Sequence, residues 1–176
     1  MSVDDGSSAQ LSGTTDWTPL PEAVRKGVWD EFYARFQFRP SVHFQEWPGI
    51  REPTPFRTYN IAGVRDDPNR AVLETQFETT CLLALRKAVS PSAWLYALDW
   101  QHPCYYFRPH QAKVGDWWAI SALPDGDYHI FISADLAFGW FGHPWEETIC
   151  VFGEPLVKTL GRRLNHAPWS LIRHAL

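Results

Sequence analysis

Apolar residues in the stretch PEAVRKGVWDEFYARFQF recur every four positions, at Val24, Val28, Phe32 and Phe36. That spacing predicts a helix with one buried face. Pro21 suits a first helical turn, Glu22 complements the positive end, and Pro40 lies just past the expected stop. The segment NRAVLETQFETTCLLALRKAV repeats the pattern, with Val72 or Leu73, Phe77, Cys81, Leu85 and Ala88 on one face and Asn69 as the expected N-cap. Between these helices, Pro48, Pro53 and Pro55 predict an extended, turn-rich path. Residues 56–64 are β-prone and end in the turn signal Asp66-Asp67-Pro68.

Beyond Pro91 the period changes. The runs AWLYALDW, CYYFRP, DYHIFISA and ETICVFG are rich in β-branched and aromatic residues and are parted by turn signals such as Pro124-Asp125-Gly126. In DYHIFISA, Tyr128, Ile130 and Ile132 alternate with His129, Phe131 and Ser133, as in a strand with two different faces. A closing helix is expected over residues 154–164. Helices before and after a run of strands predict an α+β fold, a mainly antiparallel sheet with flanking helices. Residues 1–17, acidic and rich in Ser and Gly, read as a disordered lead-in, and 18–176 as one domain.

Composition adds one unusual feature. Aromatic residues reach 15%, with ten Trp, whereas the 45% hydrophobic and 20% charged fractions are ordinary. Such rings fill cores, and they also wall ligand pockets. A net charge of -4 argues against nucleic acid, which needs clustered Lys and Arg. Three cysteines without CxxC spacing are neither a disulfide framework nor a zinc ribbon. Cys81 and Cys150 read as core. The N-terminus has no basic start followed by an apolar run, and no window approaches a membrane span, so a cytoplasmic protein without a membrane partner is expected.

Candidate chemistry concentrates in residues 93–152. LDWQHPCYYFRPH places Asp99, His102, Cys104, Arg108 and His110 in one hairpin-sized stretch. DGDYHIFISADLAFGWFGHPWEE holds Asp125, Asp127, Asp135, His143, Glu146 and Glu147. The LDWQH run and the GDYHIF and GWFGHPWE runs, with the flanking EFYARFQFRPS and VFGEPL, resemble a bacterial family known as domain of unknown function 2716. The resemblance spans residues 17–160 and implies little chemistry.

These residues bear on three chemistries. His102, Cys104, His110 and His143 are competent metal ligands, with Asp99 or Glu146 as carboxylate partners, but they match no metal signature and no metal or cofactor is assigned. Cys104, flanked by His102 and Arg108, is a conditional nucleophile. Acid/base work fits best: Asp99 and His102 as the pair, and His143 assisting from a Gly-His-Pro turn. Asp125 and Asp127 read as turn residues. Gly139 and Gly142 within GWFGHPW read as the makings of a rigid aromatic loop.

The expectation is an enzyme or tight binder of a small polar or aromatic metabolite, with non-redox chemistry. Its pocket would be built from residues 99–110 and 139–147. Arg108 would hold an anionic group, His110 and Glu146 would line the site, and Trp100, Trp118, Trp140 and Trp145 would exclude water. The rival is a protein-binding module, such as an immunity protein whose acidic surface steers a basic toxin. A structural subunit of a larger assembly is a third reading.

Overall fold

The computed structural model describes residues 16–176. One sheet of eight antiparallel strands runs through it, in the order β1-β4-β3-β5-β6-β7-β2-β8. The strands are β1 (Trp17–Pro19), β2 (Phe56–Asn60), β3 (Leu95–Asp99), β4 (Tyr105–Phe107), β5 (His129–Ser133), β6 (Gly139–His143), β7 (Thr148–Phe152) and β8 (Ser170–Ala175). Helix α1 (Glu22–Phe36) covers one face, and α3 (Arg70–Ala88) with α4 (Glu154–Arg163) covers the other; α2 (Ala62–Arg65) is a single turn. The α+β architecture is therefore as expected, with both sheet faces buried.

Period-two alternation in the central strands feeds two separate cores. Phe131, Trp140, Ile149 and Val151 point towards α3 and α4, while Ile130, Ile132, Phe141, Cys150 and Phe152 point towards α1. Helix α1 buries Val28, Phe32 and Phe36, the stripe read from its four-residue spacing. Asn69 occupies the N-cap position of α3, but its side chain makes no capping bond; Asp67 instead accepts from the Asn69 amide at 2.7 Å. Cys81 and Cys150 are core residues, as expected.

Local detail departs from what the sequence suggests. The GWFGHPW run is no loop: residues 139–143 form β6, fully buried in the middle of the sheet. Its glycines are there for close approach and not for a left-handed backbone. A Cβ on Gly139 would collide with the Phe131 carbonyl, and one on Gly142 would lie 2.8 Å from Pro124 Cδ. Strand β8 has no counterpart among the expected elements, because its residues are largely exposed and show no clean alternation. Asp16 is buried and Trp17 opens β1, while residues 1–15 of the expected lead-in lie outside the described residues. Among the described residues, no helix is long and apolar enough to cross a membrane.

Candidate functional site

One end of the sheet gathers Asp99, His102, Asp125, Asp127 and His129. There β3 ends on Asp99, β5 begins at His129, and the register sets Asp99 beside His129 and His129 beside Gly142. After Asp99 the chain reverses tightly, with the His102 amide donating to the Asp99 carbonyl at 3.2 Å and Gln101 left-handed at φ 66°. The turn folds His102 back so that its Nδ1 lies 3.0 Å from Asp99 Oδ1. Asp127 stands on the approach to β5. One of its oxygens accepts from the Tyr128 amide at 2.9 Å, and the other lies 3.5 Å from His102 Nδ1.

His129 supports this group from within. It is 2% exposed, and its Nδ1 lies 2.9 Å from the Ser121 carbonyl and 3.0 Å from that of Leu123. Two carbonyl acceptors fix the proton on Nδ1. Nε2 then faces Asp125 Oδ1 at 3.2 Å and Asp99 Oδ1 at 3.8 Å. The loop that brings Asp125 there is seated by Pro124, which packs on the bare Cα of Gly142.

The electrostatics follow from these contacts. Burial pulls the His129 pKa down, but the hydrogen bond and charge of Asp125, helped by Asp99, outweigh it and the net shift is upward. The same hydrogen bond lowers Asp125. His102, at the surface, is raised by its hydrogen bond to Asp99 and by that carboxylate's charge. Asp127 is raised, chiefly by burial.

Asp125 also reaches a cleft. Between α3 and residues 115–121 lies a cleft of about 500 Å³ lined by Glu74, Glu78, Trp117, Trp118, Ser121 and Asp125. Trp117 stands at 80% exposure while Trp118 is buried against the core. Burial raises the pKa of Glu78 within that wall.

The remaining expected site residues fall elsewhere. His143 lies at the same end of the sheet but on the α1 face, among the rings of Trp47, Tyr128, Phe141 and Trp145. It is 0% exposed, its Nδ1 accepts from the Glu146 amide at 3.0 Å, and its Nε2 has no hydrogen-bond partner. Burial lowers its pKa to about 4. Glu146 is held by Arg173, with oxygen–nitrogen distances of 2.6 and 3.0 Å, and by Thr148. The pocket expected from residues 99–110 and 139–147 thus divides: Asp99 and His102 meet, while His143 and Glu146 are separated from them by the sheet.

Cys104 is buried in the α1-side core, where its thiol lies 3.6 and 3.5 Å from the carbonyls of Asp99 and His102. Burial raises its pKa, the opposite of activation. Arg108 donates to Thr18 Oγ1 at 3.0 Å and so braces β1. His110 pairs with the Val89 carbonyl at 3.0 Å, tying a loop to the end of α3. Trp100 donates to the Tyr33 hydroxyl at 3.0 Å. Trp140 is core, its indole on the Ala122 carbonyl at 3.0 Å, and Trp145 is half-exposed beside Tyr128. Of the four expected tryptophans, Trp118 lines the cleft.

Sequence reasoning passed over His129, and it gave Asp125 and Asp127 only turn roles. A signal was present for the first, since His129 shares a strand face with Phe131 and is thereby committed to burial. Asp125 and Asp127 do sit in a turn, but one that delivers both carboxylates to the same histidine pair.

A family described as "Protein of unknown function (DUF2716)" matches residues 19–157 of this chain. The chain is also 30% identical over 152 residues to the uncharacterized protein YxiI of Bacillus subtilis (strain 168), covering 82% of this chain and 92% of that protein. No solved structure matches it.

Proposed function

We propose that this chain, which belongs to the DUF2716 family of proteins of unknown function, binds a small polar or aromatic ligand in the α3 cleft and acts on it through the neighbouring carboxylate–imidazole group. The observation that carries this reading is a continuous polar path. Asp125 lines the cleft and lies 3.2 Å from His129, which faces Asp99 at 3.8 Å, and Asp99 lies 3.0 Å from His102. A concave site with a few convergent polar groups and perturbed titrations is where ligand chemistry belongs. Trp117 offers ring surface for stacking, and the carboxylates favour a ligand with hydrogen-bond donors or positive charge. Carboxylates and imidazoles in contact suit hydrolytic or proton-transfer chemistry.

The test is a metabolite screen by tryptophan fluorescence and thermal shift, followed by Trp117→Ala and Asp125→Asn. A hit of this class should lose about tenfold or more in affinity in each variant. Hits bound equally well by both variants would place ligand binding elsewhere and defeat the reading.

A protein-binding module remains the second reading, and one observation favours it. Trp117, 80% exposed, stands on the rim of a cleft whose charged lining residues, Glu74, Glu78, Asp116 and Asp125, are all acidic. A basic partner presenting a complementary patch would suit that rim. Fast association that slows steeply with added salt, with no small-molecule hits, would favour it over the first.

A further inference from the structure

We infer that the Asp99–His102–Asp127 group is a binding site for a divalent transition-metal ion. This rests on the ligand-site reading above and supplies it with a Lewis acid. Metal–ligand bonds of about 2.0–2.2 Å place neighbouring donor atoms roughly 3.0–3.5 Å apart. Here one donor atom from each of the three residues lies within 4.8 Å of the others, and His102 Nδ1 is 3.0 Å from Asp99 Oδ1 and 3.5 Å from Asp127 Oδ2. The spacing is therefore close to that of a coordination shell, with modest adjustment at the exposed His102.

The surroundings support a cation in two further ways. Asp127 already satisfies one oxygen with the Tyr128 amide, which orients the other towards His102. Independently, His129 is 2% exposed, and its Nε2 is aimed at Asp99 Oδ1, an oxygen the ion would use. The carbonyls of Ser121 and Leu123 hold the far nitrogen and so fix the ring with Nε2 towards Asp99 and Asp125. His129 is accordingly a positioning residue. Three carboxylates, Asp99, Asp125 and Asp127, meet two imidazoles here, so whether or not the imidazoles are protonated the ionised group carries excess negative charge that a divalent ion would balance. Mixed imidazole and carboxylate donors select zinc, manganese or iron(II) over magnesium or calcium.

The experiment uses the full chain, stripped with a chelator and then titrated separately with Zn²⁺ and Mn²⁺ by calorimetry, with native mass spectrometry for stoichiometry. One ion per chain is expected. Asp127→Asn and His102→Gln should each weaken binding about tenfold or more, and His43→Gln, at an exposed histidine away from the group, should not. His102 is largely exposed, so His102→Gln should fold even if a change at Asp99 does not; circular dichroism checks this. Failure of the folded chain to bind either ion, or binding indifferent to both variants, overturns the site. Because no cleft ligand enters this titration, its failure leaves the Trp117 and Asp125 ligand test standing, and the reverse also holds.

Discussion

His129 and His143 stand on adjacent buried strands at the same end of one sheet, yet they are driven in opposite directions. His129 faces the α3 side, gives its Nδ1 proton to two carbonyls and turns Nε2 to carboxylates, and its pKa rises despite burial. His143 faces the α1 side, accepts at Nδ1 from an amide and leaves Nε2 without a partner among aromatic rings, and its pKa falls to about 4. Neither the residue type nor its depth decides the outcome. What decides it is whether a carboxylate reaches the ring, and on the α1 side the nearest one, Glu146, is already taken by Arg173. One histidine is kept neutral in an aromatic box, whereas the other is set against two carboxylates, Asp125 and Asp99.

The largest effect should come from breaking the α1 side. Arg173 bridges Glu52 and Glu146, whose side chains are 9% and 11% exposed. Replacing it with Met strands two buried carboxylates, and denaturant titration should show a loss of about 3–5 kcal/mol.

Next comes the titration of His143. Its folded-state value of about 4 lies below the unfolded value, so the unfolded chain takes up the proton first. The stability it contributes is complete above pH ~6.5 and lost as pH falls towards 4, about 3 kcal/mol in all. His143→Gln should flatten the stability–pH curve over that interval. Nitrogen NMR of the wild type should show a neutral ring, protonated at Nε2, at pH 6.

Gly142→Ala acts on the wall between the two histidines. The added methyl meets Pro124, displaces the loop carrying Asp125 and should cost about 1–3 kcal/mol. It should weaken ligand or metal binding on the α3 side while leaving the His143 titration intact, which separates the two regions directly.

Cys104→Ala should do least, about 1 kcal/mol, with ligand and metal binding unchanged. The wild-type thiol should react slowly with iodoacetamide at pH 7, because burial holds it protonated.

Much of the fold was legible because it is written in periods. The four-residue spacing of Val28, Phe32 and Phe36 and the alternation around Ile130 and Ile132 both became core. What failed were positions where composition mimics a different local structure. Gly139 and Gly142 beside Pro144 look like a turn, yet they mark where Phe131 and Pro124 press on a central strand. In the candidate site, the Asp99–His102 contact was readable because three residues and one turn make it. The partnership with His129 and Asp125 was not, since it depends on β3 and β5 pairing across some thirty positions and on a loop seated against β6. Arg173 was invisible for the same reason: its two partners belong to distant parts of the chain.

Strand β2 is made early and completed late. It ends at Asn60, while the strands on its two edges, β7 and β8, begin at Thr148 and Ser170. At synthesis rates of roughly 5–20 residues per second, an interval of about 5–20 s separates β2 from its first partner. Throughout that interval Phe56 and Tyr59 have no strand beside them, and the Glu52 carboxylate lacks the Arg173 that will neutralise it. For a nascent chain on the ribosome, residues 52–60 thus stay without their sheet neighbours until most of the chain has been made.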